Sequence, residues 1–320
     1  MGKNRTVVVK FGGASLADGE RIKSAVKAVA NELAKGTKVV VVVSAMGRTT
    51  DTLLGTARTA AADRLSPSEA DDVLSMGERT SARIFAAALR SDGVKTEYFD
   101  PAKDNWPIVT DDTFANARPN LAFSQGLIER HVLPLLGKGF VPVVPGFVGR
   151  TRKGAITTLG RGGSDTTAFI LARALHADQV ILVTSAEGIM TADPKLIKNP
   201  KVIREIEAEA LAGLADTDVK FIHKKALRYK DPAIDAKVID YSAARLDVDG
   251  TIIKGGLPQE IVVHLAYEEP VLAATVVGKA LADSPVFLAR VAEEVGRTGV
   301  ASLGMSTNSD CLILYLPEKE

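Results

Sequence analysis

Thr6-Val7-Val8-Val9-Lys10-Phe11-Gly12-Gly13-Ala14-Ser15, followed after an amphipathic stretch by Lys38-Val39-Val40-Val41-Val42-Val43-Ser44, decides the fold of this 320-residue chain. Val39 to Val43 is apolar without alternation, the pattern of a strand covered on both faces, which belongs to a parallel sheet lying between helix layers. Parallel strands need a crossover, and Asp18 to Lys35 carries the helical apolar period that supplies one. Gly36 stands where a helix C-terminus wants a left-handed residue. The opening therefore reads as one βαβ unit of an α/β fold.

Working outward, Ser66-Pro67-Ser68-Glu69 combines capping-box spacing with proline at the first helical position, and predicts a helix running to Arg90. Gly139 to Val144 reads as another buried strand. Gly160 to Asp165 forms a glycine-rich turn into a helix over Thr166 to His176, and Val180 to Thr184 returns as a strand. From Glu269 the pattern changes to strand-like Val271 to Val277, helical Pro285 to Arg297, and apolar Ala301 to Met305 and Cys311 to Leu316. This β-α-β-β order predicts a small α+β domain over 266–320 after a main domain over 1–265.

Composition narrows the function classes. Hydrophobic residues make up 46% and charged residues 25%, the make-up of a globular protein with a sizeable core. Forty basic against thirty-nine acidic residues leave a formal net charge of +1, so no global field draws the chain to nucleic acid or an anionic membrane. One cysteine, Cys311, excludes an internal disulfide and a cysteine-based zinc site, and the four histidines show no ligand spacing. No apolar run approaches the length of a membrane span, and no secretory leader is evident. A reducing cytoplasm is the expected location, with no metal site in the protein itself.

Three loops carry candidate chemistry. Lys10-Phe11-Gly12-Gly13 follows a strand: glycines admit backbone N–H groups close to phosphate oxygens and the lysine adds charge, although a plain tight turn would read the same way. Ser44-Ala45-Met46-Gly47 follows the next strand and should emerge on the same carboxyl edge, where open α/β sheets bind ligands. Thr158-Leu159-Gly160-Arg161-Gly162-Gly163-Ser164-Asp165 gathers glycines, a cation, a hydroxyl and a carboxylate at a helix N-terminus. Capping by Ser164 or Asp165 is the plain alternative, but it leaves the three glycines unaccounted for.

Lys10-Phe11-Gly12-Gly13, Ser75-Met76-Gly77-Glu78, Gly160 to Asp165, Gly188-Ile189-Met190-Thr191-Ala192-Asp193-Pro194 and Lys220-Phe221-Ile222-His223 stand in the order seen in aspartate kinases. Residues 6 to about 263 thus resemble the catalytic domain of the amino acid kinase family. That resemblance implies a three-layer α/β/α sandwich around a mainly parallel sheet, and the tail resembles the beginning of an ACT domain. It implies an ATP-dependent aspartate kinase that forms 4-phospho-L-aspartate, with Mg²⁺ carried mainly on the ATP phosphates. Lys10 and Lys220 would neutralise the transferring phosphoryl group, and Asp165 would organise them. Gly12, Gly13 and Gly47 would give backbone contacts to the nucleotide, whose pocket would include Thr184, Ser185, Met190 and Lys195. Glu78 and Arg161 would recognise the α-ammonium and α-carboxylate of the amino acid, beside Ser44 and Ser164. A homodimer through the ACT-like region is the implied assembly.

The chain departs from that pattern at Ala14, where a threonine is usual, at Ser185 for an aspartate and at Met190 for a tyrosine. Ala14 opens the alternative of a hydroxyl acceptor such as homoserine, and the other two changes that of a non-catalytic ligand-binding relative. Only about half of the paired ACT arrangement is present, so no feedback effector is assigned. Elsewhere the residues read as ordinary: Cys311 as part of an apolar strand, Trp106 as surface packing in a loop, and His223 as a structural hydrogen-bonding residue. Lys224, Lys225, Arg228 and Lys230 read as a solvated basic face.

Overall fold

The computed structural model describes residues 5–62, 64–191, 198–214, 222–257, 270–277, 285–308 and 311–318. The chain falls into two compact units, residues 1–259 and 260–320. The first unit opens with β1 (Thr6–Phe11), α1 (Gly19–Ala34), β2 (Lys38–Val43), α2 (Thr49–Ala60), α3 (Pro67–Ser91), β3 (Thr96–Tyr98) and β4 (Val109–Thr110). It continues through α4 (Leu121–His131), α5 (Leu133–Gly137), β5 (Val141–Pro145), β6 (Val148–Thr151), β7 (Ile156–Thr158), α6 (Gly163–Ala174) and β8 (Gln179–Thr184). It closes with β9 (Glu205–Glu207), α7 (Ala208–Leu214), α8 (Lys224–Leu227), β10 (Asp235–Asp240) and β11 (Thr251–Lys254).

Eight strands make the main sheet in the order β3-β5-β2-β1-β8-β10-β11-β9. All neighbours are parallel except β10 and β11. Side-chain alternation along its middle strands feeds two cores. Val8, Val40 and Val42 pack with Ile128 of α4 and Phe169 and Leu171 of α6 on one face. Val7, Val9, Val39, Val41 and Val43 pack with Val26 and Val29 of α1 and Phe85 and Leu89 of α3 on the other. Each such valine is wholly withdrawn from water and contributes about 1.5–3 kcal/mol, which is why these strands have no polar face. The result is the three-layer α/β/α sandwich anticipated from the sequence. A second, three-stranded sheet, β4-β6-β7, lies in the same unit.

The local signals work as read. Asp18 caps α1, its Oδ1 accepting from Arg21 N at 2.9 Å, and Gly36 follows the helix with φ of +84°. Ser66 and Glu69 form the reciprocal capping box of α3. The helix after the third loop starts at Gly163 and ends at Ala174, where His176 adopts a φ of +47° and turns the chain out. Trp106 is a correction: it is only 1% exposed, its indole N–H donating to the carbonyl of Ile108 at 2.9 Å. A buried indole keeps its place by satisfying that donor.

The second unit contains β12 (Val271–Val277), α9 (Pro285–Thr298), β13 (Gly304–Asn308) and β14 (Cys311–Pro317). Its β-α-β-β order is the one expected, with the third element three residues later than the apolar stretch suggested. Both β12 and β13 pair antiparallel with β14, which lies between them. This small α+β unit is consistent with an ACT-like half. The burial of the Cys311 side chain lies outside the described features.

Candidate active site

The carboxyl ends of β1, β2, β5 and β8 lie side by side, and backbone hydrogen bonds stitch together the loops that leave them. Gly12 N donates to Val183 O at 3.0 Å, Ser44 N to Phe11 O at 3.0 Å, Gly47 N to Gly13 O at 3.0 Å, and Gly146 N to Val43 O at 2.9 Å. Close approach explains the small residues. A Cβ on Gly13 would lie 2.7 Å from the carbonyl oxygen of Ala45, and one on Gly77 2.8 Å from the Ala45 Cβ. Gly77 thereby lets α3 press against the second loop and brings Glu78 beneath it.

Lys10, the penultimate residue of β1, reaches across this edge. Its Nζ is 2.7 Å from Asp165 Oδ1 in the first turn of α6. That oxygen receives no directed hydrogen bond, so the contact is an ion pair by charge and distance. Glu78 is 4% exposed, and its Oε2 is buried without a partner. Burial pushes its carboxyl up to about 7, against the opposing pull of the Ala45 and Glu78 backbone N–H groups and of the nearby Lys10 charge. A buried acceptor left unsatisfied costs roughly 1–3 kcal/mol, and a cationic ligand would relieve it.

The third loop owes its path to glycine: Gly160 and Gly162 have φ of +70° and +72°. A Cβ on Gly162 would lie 2.6 Å from that of His223. Gly162 occupies the N-cap position of α6 with no side-chain cap, so neither Ser164 nor Asp165 caps the helix. Both are buried in its first turn, which leaves N-terminal amides without a side-chain acceptor at a positive helix end. Arg161 is exposed, with no ion pair among the described residues.

Of the other sequence-named residues, Ser44 and Thr184 are partly buried at the ends of β2 and β8, and Ser185 is exposed. Met190 forms an isolated bridge with Val202. That edge is fixed by the buried Thr251, whose hydroxyl accepts from Ile189 N at 2.8 Å and donates to Ile203 O at 2.5 Å. Beside it a cleft of about 640 Å³ is lined by Glu187, Val202, Arg204, Asp240 and Ser242 among others. Lys195 and Lys220 lie outside the described residues. Ala14 is exposed, its carbonyl accepting from Arg21 at 2.6 Å.

The basic-face reading needs correction. Lys230 is 2% exposed, its ammonium held by the Gly255 carbonyl, and burial lowers its pKa. Lys225 is partly buried and donates to Leu159 O and Asn116 Oδ1. Burial lowers its pKa too, with Arg118 and Arg228 adding and Asp111 opposing. Arg228 is exposed as expected. His223 caps α8, its Nδ1 accepting from Lys225 N at 3.4 Å, which fits its structural reading. Sequence reasoning passed over Asp71, which is fully buried on α3 and bonded to the third loop. Its place on the same helical face as Ser75 and Glu78 was the available signal.

The signature of the amino acid kinase family matches residues 5–240. An aspartokinase of Geobacillus stearothermophilus is 36% identical over 278 residues, 85% of this chain and 65% of that one. An aspartokinase of Mycolicibacterium smegmatis is 35% identical over 304 residues, 92% of this chain and 68% of that one. A crystal structure of E. coli aspartokinase III in complex with aspartate and ADP superposes with a TM-score of 0.69 at 27% identity, covering 98% of this chain and 79% of that one. The chain spans about two-thirds of the length of the two curated relatives. No helix among the described residues is long and apolar enough to cross a membrane.

Proposed function

The chain belongs to the amino acid kinase family, and from that premise we propose that it is an ATP-dependent phosphotransferase acting on an amino acid. Its reaction on this reading moves the γ-phosphoryl group of ATP to the β-carboxylate of L-aspartate, giving 4-phospho-L-aspartate and ADP. The observation that carries it is the convergence, on one carboxyl edge, of the Lys10–Asp165 pair with the unsatisfied buried Glu78 oxygen. The aspartate and ADP bound by the E. coli enzyme support the same assignment.

Phosphoryl transfer asks little covalent help of a protein and depends on positioning and charge neutralisation. Lys10 is placed to meet phosphoryl oxygens, with Asp165 fixing its ammonium. Lys220 joins it by resemblance. Gly12, Gly13 and Gly47 let the loops close on one another at this edge and flank the phosphates by resemblance, and Thr184, Ser185, Met190 and Lys195 belong to the nucleotide side. Glu78 takes the α-ammonium, Arg161 the α-carboxylate, and Ser44 and Ser164 flank the acceptor. A carboxylate acceptor with a pKa near ~4 is already ionised at neutral pH, so the step needs no general base.

Among the described residues no three His, Cys, Asp or Glu side chains converge as a metal site. On this reading, and by resemblance, Mg²⁺ is carried mainly on the nucleotide phosphates, where it neutralises charge. A cytoplasmic location goes with this reading, as does pairing of two chains through the C-terminal sheet. Its edge strand β12 exposes Leu272 and Val277.

Ala14 favours a second reading, a hydroxyl acceptor such as homoserine, whose proton Asp165 would have to take. ADP release from Mg-ATP, measured side by side with L-aspartate and L-homoserine and with hydroxylamine trapping of acyl phosphate, separates the two. Turnover with aspartate and a trapped hydroxamate is expected. Turnover with homoserine and no trap signal moves the assignment to the hydroxyl acceptor, and nucleotide binding without turnover of any amino acid sinks both.

A further inference from the structure

Asp71 lies about two helical turns before Glu78 on α3. It is wholly buried, and both its oxygens are filled by two separate segments. Oδ2 accepts from Thr158 N at 2.8 Å and from Ala115 N at 2.9 Å, and Oδ1 accepts from the Thr158 hydroxyl at 2.7 Å. From α8, Lys225 donates to the next carbonyl along, that of Leu159, and to the side chain of Asn116. An acid on one helix and a base on another thus grip consecutive residues immediately before Gly160 and Arg161. Both also hold the strip 115–116, which packs on Gly160: a Cβ there would lie 2.9 Å from Asn116 Oδ1 and 3.0 Å from Ala115 O.

Such charges are a poor way to gain stability alone, since well-packed apolar residues do as well. What they supply is a fixed path for a loop whose glycines would otherwise leave it loose. Building on the amino acid kinase reading above, we infer that Asp71 and Lys225 are positioning residues for acceptor recognition. They hold the Gly160–Asp165 loop against the helix that carries Glu78, so that Arg161 keeps a fixed place relative to Glu78. Neither touches substrate in this role. Acceptor affinity is their main readout, because they grip the loop immediately before Arg161, whereas Thr184, Ser185 and Met190 on the nucleotide side lie at the end of β8 and beyond it, outside the segment they hold.

The test uses the whole chain as wild type, Lys225→Met, Lys225→Arg and Thr158→Val. Steady-state kinetics with either substrate varied are combined with amide hydrogen exchange over residues 158–166 without substrate. Lys225→Met is expected to raise the amino acid KM about tenfold or more, the scale of a lost charge-assisted hydrogen bond, with the ATP KM moved much less. It should also speed exchange at residues 159–163. Lys225→Arg should restore both, and Thr158→Val, which removes only the hydroxyl bond to Asp71, should move both the same way by less. Should Lys225→Met fail to fold, Thr158→Val carries the test. Equal rises in both KM values, a fall in kcat alone, or unchanged loop exchange overturns the inference. A wild type that turns over no amino acid overturns the kinase reading instead, and loop exchange then decides the latch by itself.

Discussion

Lys10 Nζ and Asp165 Oδ1 stand 2.7 Å apart, joining the end of the first strand to the first turn of a helix from the middle of the chain. The carboxylate holds the ammonium at the mouth of a loop built from Gly12 and Gly13, where charge would build up during phosphoryl transfer. Lys10→Met should lower kcat by about 10²- to 10³-fold, as for removal of a preorganised electrostatic donor. The melting temperature should fall as well, because Asp165 is left buried without its cation, so the rate is read well below that melt. Single-turnover ADP formation together with a thermal melt checks this; near-normal turnover would remove Lys10 from the chemistry.

Glu78 ties function to pH. With its carboxyl raised to about 7 by burial, it is largely neutral at pH 6 and largely ionised at pH 8. An α-ammonium is drawn to the ionised form, so the amino acid KM should rise as pH falls below about 7 while the ATP KM stays level. A pH series of both constants decides it.

The same residue sets a stability cost of opposite sense. Between its unfolded value of 4.5 and its folded value of about 7 the native state binds more protons than the unfolded one. Stability therefore falls as pH rises through that window, by about 3 kcal/mol at ~1.4 kcal/mol per unit. Glu78→Gln should raise the Tm of the ligand-free protein at pH 8 while abolishing amino acid binding. An unchanged or lower Tm at pH 8 would mean that the carboxylate is not uncompensated.

Gly77→Ala should act through geometry. Its added Cβ would meet that of Ala45 at 2.8 Å, in a place where both neighbours are backbone-anchored. Overpacking of this kind costs about 1–3 kcal/mol and would shift Glu78 relative to the second loop. A lower denaturation midpoint with a raised amino acid KM is the expected pair of results.

Ser66→Ala is the control at the far end of the same helix. It removes one half of the capping box and should cost about 1 kcal/mol in urea unfolding with kcat/KM unchanged. A loss of activity would mean that α3 transmits changes along its whole length.

The first βαβ unit, the capped start of α3 and the glycine loop before α6 were legible because each is written in local residues: an unbroken valine run, a Ser66/Glu69 pair, and glycines that only special backbone angles require. Lys10, Glu78 and Asp165 were named from motifs, and Lys10 and Asp165 meet as an ion pair with Glu78 close by. What escaped was set by partners far along the chain. Asp71 looks like one more acid on an amphipathic helix until Thr158 closes on it. Lys225 and Lys230 look solvated until Leu159 and Gly255 arrive with their carbonyls. Trp106, beside a proline in a loop, gives no sign of its burial. The strands β3, β4, β7 and β9 have only two or three residues each, too few to show a period of two.

The position of β1 governs the order in which the protein can be made. It is flanked by β2, paired from Thr6 with Lys38, and by β8, paired from Val7 with Gln179. As the chain leaves the ribosome, the first flank closes after some forty residues and the second only after well over a hundred more. Until then the edge of β1 lies open for a wrong strand to occupy, while β5 on the other side already has β2 and β3 to pair with. Synthesis of β8 closes that vacancy and seals both flanks of the strand that carries Lys10, but it moves the open edge outward to β8 itself, which waits for β10 some fifty residues later.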